Sequence, residues 1–218
     1  PEATVTVNVS DAKLLKIHLE RIASLAQGSA QKLVASGDFA DEKGVALAPG
    51  YLRFATTDAT VADISASGSV RGKGEGTAIL TARSHGIQAV NALGVFAVVI
   101  LDPSSQGEGA TGEPIDPGVY PGTLTLTNHG GKRQLRISAD DGSDITTAAM
   151  GTLYFVGNPD IATITPDGLV IGLAEGVTTL SIINGAGQQN IELKVQVPSI
   201  GATLVNAQDG GAVQGADG

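Results

Sequence analysis

Three aspartates stand close together in the stretch "SADDGSD" and are the residues of this chain best suited to bind a metal ion. They are Asp140, Asp141 and Asp144. Hard cations such as Ca²⁺ take six to eight oxygen ligands, and three carboxylates in one loop could begin such a site. The spacing of the common calcium-binding loop is absent, and a solvated, turn-forming acidic loop explains the same residues. The three aspartates are therefore calcium candidates, and no other cofactor is expected.

The remaining polar residues do not form a catalytic pattern. The three histidines, His18, His85 and His129, fall in different segments and none has the spacing of metal ligands. The chain has no cysteine, which excludes disulfides, thiolate zinc sites and cysteine nucleophiles. No serine stands in a Gly-x-Ser-x-Gly elbow. The sequence therefore predicts a protein that is not an enzyme.

Gly72, Gly74 and Gly76 resemble a fragment of a phosphate-binding loop. Such a loop requires a helix after the glycines, so that backbone N–H groups can point at the phosphate. A Thr-rich, strand-like segment follows these glycines instead. We therefore interpret them as turn residues.

Few residues are suited to recognise a partner. Lys132, Arg133 and Arg136 form a small basic cluster that fits polar positions on an exposed strand, or a contact to an acidic neighbouring module or glycan. Sugar-binding modules stack sugars on exposed aromatic rings, and Tyr51 and Tyr120 are the candidates for that role. Only 3% of the residues are aromatic, which disfavours a sugar-binding module.

Composition and charge narrow the class of protein. The chain has 218 residues and a formal net charge of −9, so it is repelled by phosphate backbones and nucleic acid is not an expected partner. No apolar stretch is long enough to span a bilayer. Thirty glycines, frequent Thr, Ser and Val, and few aromatics favour short strands joined by many turns.

The chain contains an internal repeat at an offset of 100 residues. Residues 58–82 read "DATVADISASGSVRGKGEGTAILTA" and residues 158–182 read "NPDIATITPDGLVIGLAEGVTTLSI". The matching positions are Gly68, Gly72, Gly76 and Leu80 in the first copy and Gly168, Gly172, Gly176 and Leu180 in the second. An internal repeat of this kind indicates that one structural unit occurs twice.

The repeated stretches predict short strands and tight turns. Gly68 and Gly168 end four-residue turns that require a positive φ, and Asn184-Gly185 predicts a β-hairpin. Upstream, strands are predicted to begin at Leu33 and Leu135. Residues 11–27 have the apolar spacing of an amphipathic helix, but their Thr-rich counterpart in the second copy favours a strand.

The repeated residues resemble the group 2 bacterial Ig-like domain of intimin- and invasin-type surface proteins. That family's pattern has an aromatic residue, a polar pair, apolar-Ala-x-apolar, and glycines before a Thr-rich strand. The first copy fits it at Phe54, Asp58, Val61, Ala62, Ile64, Gly68, Val70, Gly72 and Gly76, and the second at Tyr154, Asn158, Pro159, Ile161, Ala162, Ile164, Gly168, Val170, Gly172 and Gly176. Phe54 and Tyr154 stand where the family often has Trp. The resemblance implies an all-β chain with two tandem Ig-like β-sandwich domains joined by a Gly/Pro-rich linker.

We expect the following division of the chain. Residues 1–13 are a lead-in or the last strand of a preceding module, 14–101 form the first domain, 102–117 a linker or long loop, 118–198 the second domain, and 199–218 a Gly/Ala-rich extension. Alternatively, "AVVIL" is the first strand of the second domain and the stretch after it is an insertion. The length of the linker suggests that the two modules flex.

The resemblance implies a bacterial, extracellular or cell-surface structural module that acts as spacer and adhesion unit in a longer repeat protein. Its partners would be other modules of the same or neighbouring chains, a surface protein or a glycan. One alternative is a subunit of a filament, surface layer or virus particle, in which the strand-like residues 4–9 complete the sheet of another copy. A further alternative is a carbohydrate-binding accessory module.

Overall fold

The computed structural model describes residues 11–97, 114–128 and 130–198 of the chain. The described part consists of β-strands and two short 3-10 turns, at Pro49–Tyr51 and Ala148–Met150, with no α-helix. The predicted all-β fold is therefore confirmed. The segment that had the spacing of an amphipathic helix forms strands instead.

Residues 11–97 form a β-sandwich, which we call the first sandwich. Its strands are β1 (Leu14–Leu19), β2 (Ser24–Ala26), β3 (Ala30–Lys32), β4 (Ala35–Phe39), β5 (Val45–Ala46), β6 (Arg53–Thr56), β7 (Ala62–Ile64), β8 (Ser69–Gly72), β9 (Gly76–Ser84) and β10 (Ile87–Phe96). One layer is a four-stranded sheet in the order β2-β10-β9-β6, and the other consists of the sheets β3-β8-β7 and β1-β4-β5. Val70, Leu80 and Leu93 meet between the layers, where they are fully buried. Burial of these apolar side chains is the main force that holds the layers together.

Residues 114–128 and 130–198 form the second sandwich, with the same arrangement. Its strands are β11 (Gly118–Tyr120), β12 (Leu124–Thr127), β13 (Lys132–Gln134), β14 (Arg136–Ser138), β15 (Thr152–Val156), β16 (Ala162–Ile164), β17 (Leu169–Gly172), β18 (Gly176–Asn184) and β19 (Gly187–Gln196). A four-stranded sheet, β12-β19-β18-β15, faces the sheets β13-β17-β16 and β11-β14. Val170, Leu180 and Leu193 lie between the layers at the places held by Val70, Leu80 and Leu93 in the first sandwich.

The predicted turns are present in both copies. Gly68 and Gly168 have φ of +79° and +80°, in the left-handed region that residues with a side chain rarely adopt. Asn184, the last residue of β18, pairs with Gly187, the first residue of β19, so Asn184-Gly185 lies at the predicted hairpin turn. The repeated glycines therefore supply the backbone conformations that the turns between the short strands need.

The predicted strand beginnings at Leu33 and Leu135 were wrong. Each leucine lies between two strands, at the point where the chain leaves one sheet and enters the next. The backbone N–H of Leu33 donates to Gly68 O at 2.8 Å, and that of Leu135 donates to Gly168 O at 3.0 Å. Both side chains are buried in the core. An apolar residue at a sheet switch is buried as a strand residue is, so the sequence pattern alone does not separate the two.

Tyr154 takes the aromatic position of the second copy and is held by its hydroxyl group. The Tyr154 hydroxyl donates to the backbone oxygen of Thr146, and the ring packs against the core of the second sandwich. Burial raises the pKa of Tyr154 to about 12, and the negative charges of Asp144 and Asp167 add to this effect. The folded state therefore favours the protonated phenol.

We expect an alkaline titration of tyrosinate absorbance to contain a component with an apparent pKa of about 12 that disappears in Tyr154→Phe. The pKa of an unfolded tyrosine is about 10. Because the folded pKa is higher, the stability that this phenol contributes is complete below pH 10 and is lost as the pH rises from about 10 to about 12. A titration of the wild type that ends well below pH 12, or one that is unchanged in the variant, would contradict the assignment.

Candidate functional site

The four-stranded sheet of each sandwich buries its outer face as well as its inner face. In β9 all five residues from Ala78 to Ala82 are buried, although only alternate side chains of a strand can point into one core. In β18 Ser181, Ile182 and Ile183 are buried in succession. A strand that is buried on both faces must be covered on the second face. The cover is the corresponding sheet of the other sandwich.

An apolar cluster joins the two sheets. Ile79, Val90 and Ala92 of the first sandwich pack with Ile183 and the partly buried Phe155 of the second sandwich. We call the surface around this cluster the contact surface. Its apolar side chains leave water when the sandwiches meet, which stabilises the contact.

Gln188 lies in the contact surface, and hydrogen bonds satisfy its whole amide group. The Nε2 atom donates to Val90 O and to Asn190 Oδ1, both at 3.0 Å. The Oε1 atom accepts from Ala92 N at 2.7 Å and from Arg21 Nη1 at 3.0 Å. Gln188 is only 5% exposed, so these bonds replace bonds to water. The Gln188 side chain of the second sandwich thus makes hydrogen bonds to two backbone groups of strand β10 in the first sandwich.

Arg21 lies next to Gln188 and donates hydrogen bonds to both sandwiches. Its guanidinium donates to Ala92 O at 3.0 Å within the first sandwich and to Ala186 O at 2.8 Å in the second. Asp116 lies 3.4 Å from Arg21 Nη2 and also accepts from Gln188 N at 2.9 Å. Burial lowers the pKa of Arg21, and the charge of Asp116 opposes that effect. The guanidinium stays protonated and its planar donors fix the relative position of the strands that they reach.

Backbone groups also cross the contact surface. The backbone N–H of Gln88 donates to Gly157 O at 2.8 Å, and the Gln88 side chain donates to Val156 O at 2.9 Å. At another point the Lys16 ammonium lies 3.8 Å from a Glu192 carboxylate oxygen. The hydrogen bonds and the apolar cluster together join the two sandwiches. Bending between the two sandwiches would open buried hydrogen bonds, and the flexing that the linker length suggested stays a prediction.

The three calcium candidates lie in the loop between β14 and the second 3-10 turn. Asp144 Oδ1 accepts from the backbone N–H of Thr146 at 2.9 Å and from its hydroxyl at 2.6 Å. Asp141 Oδ1 accepts from Ser143 N at 2.9 Å. Hydrogen bonds from Thr146 lower the pKa of Asp144, and those from Ser143 lower the pKa of Asp141. Both carboxylates thus accept hydrogen bonds from residues two positions further on and stabilise local turns. The calcium role stays a prediction.

Within residues 11–97, 114–128 and 130–198, no three His, Cys, Asp or Glu side chains come together in a group that could hold a metal ion. The His18 Nε2 atom lies 3.0 Å from Asp38 Oδ2, and His85 Nδ1 lies 2.8 Å from Ser84 Oγ. The structure does not describe His129, residues 1–10 of the predicted lead-in 1–13, the predicted extension 199–218, or most of the predicted linker.

The other partner candidates are placed on the surface. Lys132, Arg133 and Arg136 are exposed on β13 and β14, and the Arg136 Nε atom lies 3.8 Å from Asp144 Oδ2. Tyr51 is 38% exposed and Tyr120 is 68% exposed. Tyr120 is paired with Arg136 across β11 and β14, whereas Tyr51 belongs to the first sandwich.

The sequence interpretation missed Arg21 and Gln188. Both are long polar side chains of a kind that is usually solvated, and neither belongs to a motif. A signal was nevertheless present, since "AILTA" in β9 and "AVNALGV" in β10 are nearly continuous apolar runs. Such runs are typical of strands that are buried on both faces.

Comparison with known proteins gives one related sequence. The chain is 30% identical over 178 residues to ice-binding protein 1 of Shewanella frigidimarina. The matched region covers 80% of this chain and 18% of that protein. The chain therefore spans less than a fifth of the length of this relative. No protein-family model matches the chain.

Several solved structures show a distant likeness. Domains 4 and 5 of the S-layer protein SbsC match 85% of this chain and all of that chain, with 16% identity and a TM-score of 0.33. Intimin of EHEC O157:H7 matches 39% of this chain and 46% of that chain, with 20% identity and a TM-score of 0.27. Domains EC1-2 of human protocadherin-24 match 85% of this chain and 99% of that chain, with 11% identity and a TM-score of 0.28. At such scores the fold assignment rests on the strands and sheets described above.

The described residues contain no helix with the length and apolar character needed to span a bilayer. The candidate functional site of this chain is the contact surface between the two β-sandwiches.

Proposed function

We propose that the chain is a rigid, non-enzymatic spacer and interaction module in a longer, extracellular or cell-surface bacterial protein. In this proposal residues 14–101 and 118–198 are two group 2 Ig-like domains, and the contact surface sets a fixed angle between them. The module positions other parts of the longer protein at a defined distance and direction. Its partners are neighbouring modules of the same chain or of other chains.

The observation that carries the proposal is the hydrogen bonding of Gln188. A buried amide that loses its partners costs about 1–3 kcal/mol, so a contact that satisfies all of its groups resists changes of angle. Arg21 adds bonds to both sandwiches at the same place. A flexible tether between independent domains would need none of these contacts.

The relative supports the placement in a longer protein. The part similar to this chain is 18% of a protein whose name refers to ice binding, and this chain contains a unit that occurs twice. We assign this chain a supporting role in such a protein.

The rigidity can be tested by measuring one distance between the two sandwiches. The chain has no cysteine, so Ala30→Cys on β3 and Arg133→Cys on β13 introduce two exposed sites for spin labels. We expect a narrow distance distribution by pulsed electron paramagnetic resonance. Adding Gln188→Ala should broaden the distribution, because Arg21 Nη1 and Ala92 N lose the acceptor that Gln188 provides.

Gln189→Ala is the matched control, since Gln189 is the neighbouring glutamine in β19 and is exposed. It should leave the distribution narrow. A broad distribution in the labelled chain without further substitutions would contradict the rigid module. A defined distance between singly labelled chains would instead support the assembly alternative.

A further inference from the structure

A groove of about 820 Å³ lies at one end of the first sandwich, next to the contact surface, with which it shares Gln88. The turn before β6 contributes Tyr51, and the β9–β10 hairpin contributes Ser84 and His85. Pro159 of the second sandwich also lines it. The groove therefore exists only where the hairpin end of the first sandwich meets the second sandwich.

Two arginines stand side by side in this groove. Arg53 of β6 is paired directly with Arg83 of β9 in the antiparallel ladder, so both side chains are on the same face of the sheet. Like charges at directly opposite positions destabilise a sheet. Among the described residues neither arginine has an ion-pair partner, and the groove is lined by no aspartate or glutamate. In a chain with a net charge of −9, this is a local concentration of unpaired positive charge.

An aromatic surface stands beside the arginines. The Tyr51 ring lies 5.2 Å from the His85 ring and 6.3 Å from the Phe39 ring, measured between ring centroids. Ser84 Oγ contacts His85 Nδ1, which fixes the imidazole. His85 also has φ of +48°, a conformation that glycine adopts more easily. A histidine held at a strained turn position is a feature found at functional sites.

The second copy shows that the fold does not require any of these residues. At the offset of 100, Gly151, Leu153, Ile183 and Gly185 replace Tyr51, Arg53, Arg83 and His85. The backbone is the same, because Leu153 pairs with Ile183 as Arg53 pairs with Arg83. The basic and aromatic groups are thus an addition to the first copy alone.

We propose that this groove binds the carboxylate of an acidic sugar, with Arg53 and Arg83 holding the carboxylate and Tyr51 contacting the sugar ring. Guanidinium groups bind carboxylates through charge-assisted, often bidentate, hydrogen bonds. An exposed ring offers a flat apolar surface to the C–H groups of a sugar. The net negative charge of the chain repels a dense polyanion, so the ligand class is a glycan in which carboxylates alternate with neutral sugars.

The test uses a short hyaluronan oligosaccharide, in which glucuronate alternates with a neutral sugar, titrated into the isotopically labelled full chain. We expect backbone amide resonances of Arg53, Arg83 and Gly86 to shift. Arg53→Gln and Arg83→Gln should each weaken binding at least about tenfold, the loss of one charge-assisted hydrogen bond. Tyr51→Leu, which keeps an apolar side chain against Phe39, should also weaken it.

Arg71→Gln is the matched control, because Arg71 is an exposed arginine of β8, in the opposite layer, and its loss changes the net charge equally. It should retain the affinity of the unmodified chain. The midpoints of thermal unfolding separate binding from structure, since removing one of two opposed arginines should leave the midpoint unchanged or raise it.

Four results would overturn the proposal. They are the absence of shifts with hyaluronan, equal weakening by Arg53→Gln and Arg71→Gln, equal binding of a neutral chitin oligosaccharide, and equal binding of polyglutamate. The third would show that the carboxylate is not recognised, and the fourth would indicate an acidic peptide as the partner.

Discussion

Replacing Leu180 with alanine is expected to lower the free energy of unfolding by about 2–5 kcal/mol. Leu180 is 1% exposed in the centre of β18, within the core of the second sandwich. The substitution removes apolar atoms from a packed interior and leaves a cavity that the surrounding strands cannot fill. Because small domains are stable by only about 5–15 kcal/mol, this is a large fraction of the total. Denaturant unfolding followed by far-ultraviolet circular dichroism measures it.

Leu173→Ala provides the matched control for this prediction. It makes the same chemical change in the same sandwich, but Leu173 is 46% exposed just after β17. Its cost should stay within about 0.5 kcal/mol. Similar losses for the two variants would mean that the core of the second sandwich is not where the structure places it.

The repeat made the inner structure of each sandwich predictable from the sequence. Leu80 and Leu180 match at an offset of 100, and both are buried between the layers. The glycines that end the turns could be predicted because a positive φ excludes most other residues. These features depend on local backbone conformation and on alternation along one strand, and both are visible in a short stretch of sequence.

The contact surface could not be predicted from the repeat, because it depends on how the two copies differ. Apolar residues of the contact in one copy often correspond to polar or charged residues in the other. Such pairs are Ile79 with Thr179, Val90 with Asn190, Ala92 with Glu192, and Ile183 with Arg83, whereas Phe155 corresponds to the much smaller Ala55. The two sheets therefore meet through different positions and not through a symmetric self-complementary patch. Knowing which differences matter requires the relative position of the sheets, which no single repeat encodes.

The candidate site residues show the same limit. Asp140, Asp141 and Asp144 stand out in the sequence because they are clustered along the chain. Arg21 and Gln188 are separated by 167 positions and become neighbours only in the folded chain. Arg53 and Arg83 likewise meet across a ladder. Motif analysis finds groups that are close in sequence, whereas the polar networks of this chain are assembled from distant strands.

Replacing Gly172 with alanine is expected to destabilise the second sandwich by about 1–3 kcal/mol, the usual cost of overpacking a buried position. A Cβ atom at Gly172 would lie 2.8 Å from Thr127 O and 3.1 Å from a Val195 methyl group. Gly172 also exchanges hydrogen bonds with the turn after β12, donating to Gly131 O and accepting from Gly130 N. The strand cannot move away without breaking these bonds. Circular dichroism in denaturant gives the change in unfolding free energy.

The same argument explains why the glycine recurs 100 residues earlier. A Cβ atom at Gly72 would lie 2.9 Å from Ala26 O, and Gly72 exchanges hydrogen bonds with Gly28 and Ser29 after β2. In both sandwiches β2 or β12 joins the last strand in parallel, and the turn that follows passes directly against this glycine. Gly122→Ala is the control, since a Cβ atom there meets no other atom within 4 Å and the φ angle is not positive. If Gly172→Ala were as stable as Gly122→Ala, close approach of the backbone would not be the reason for the repeated glycine.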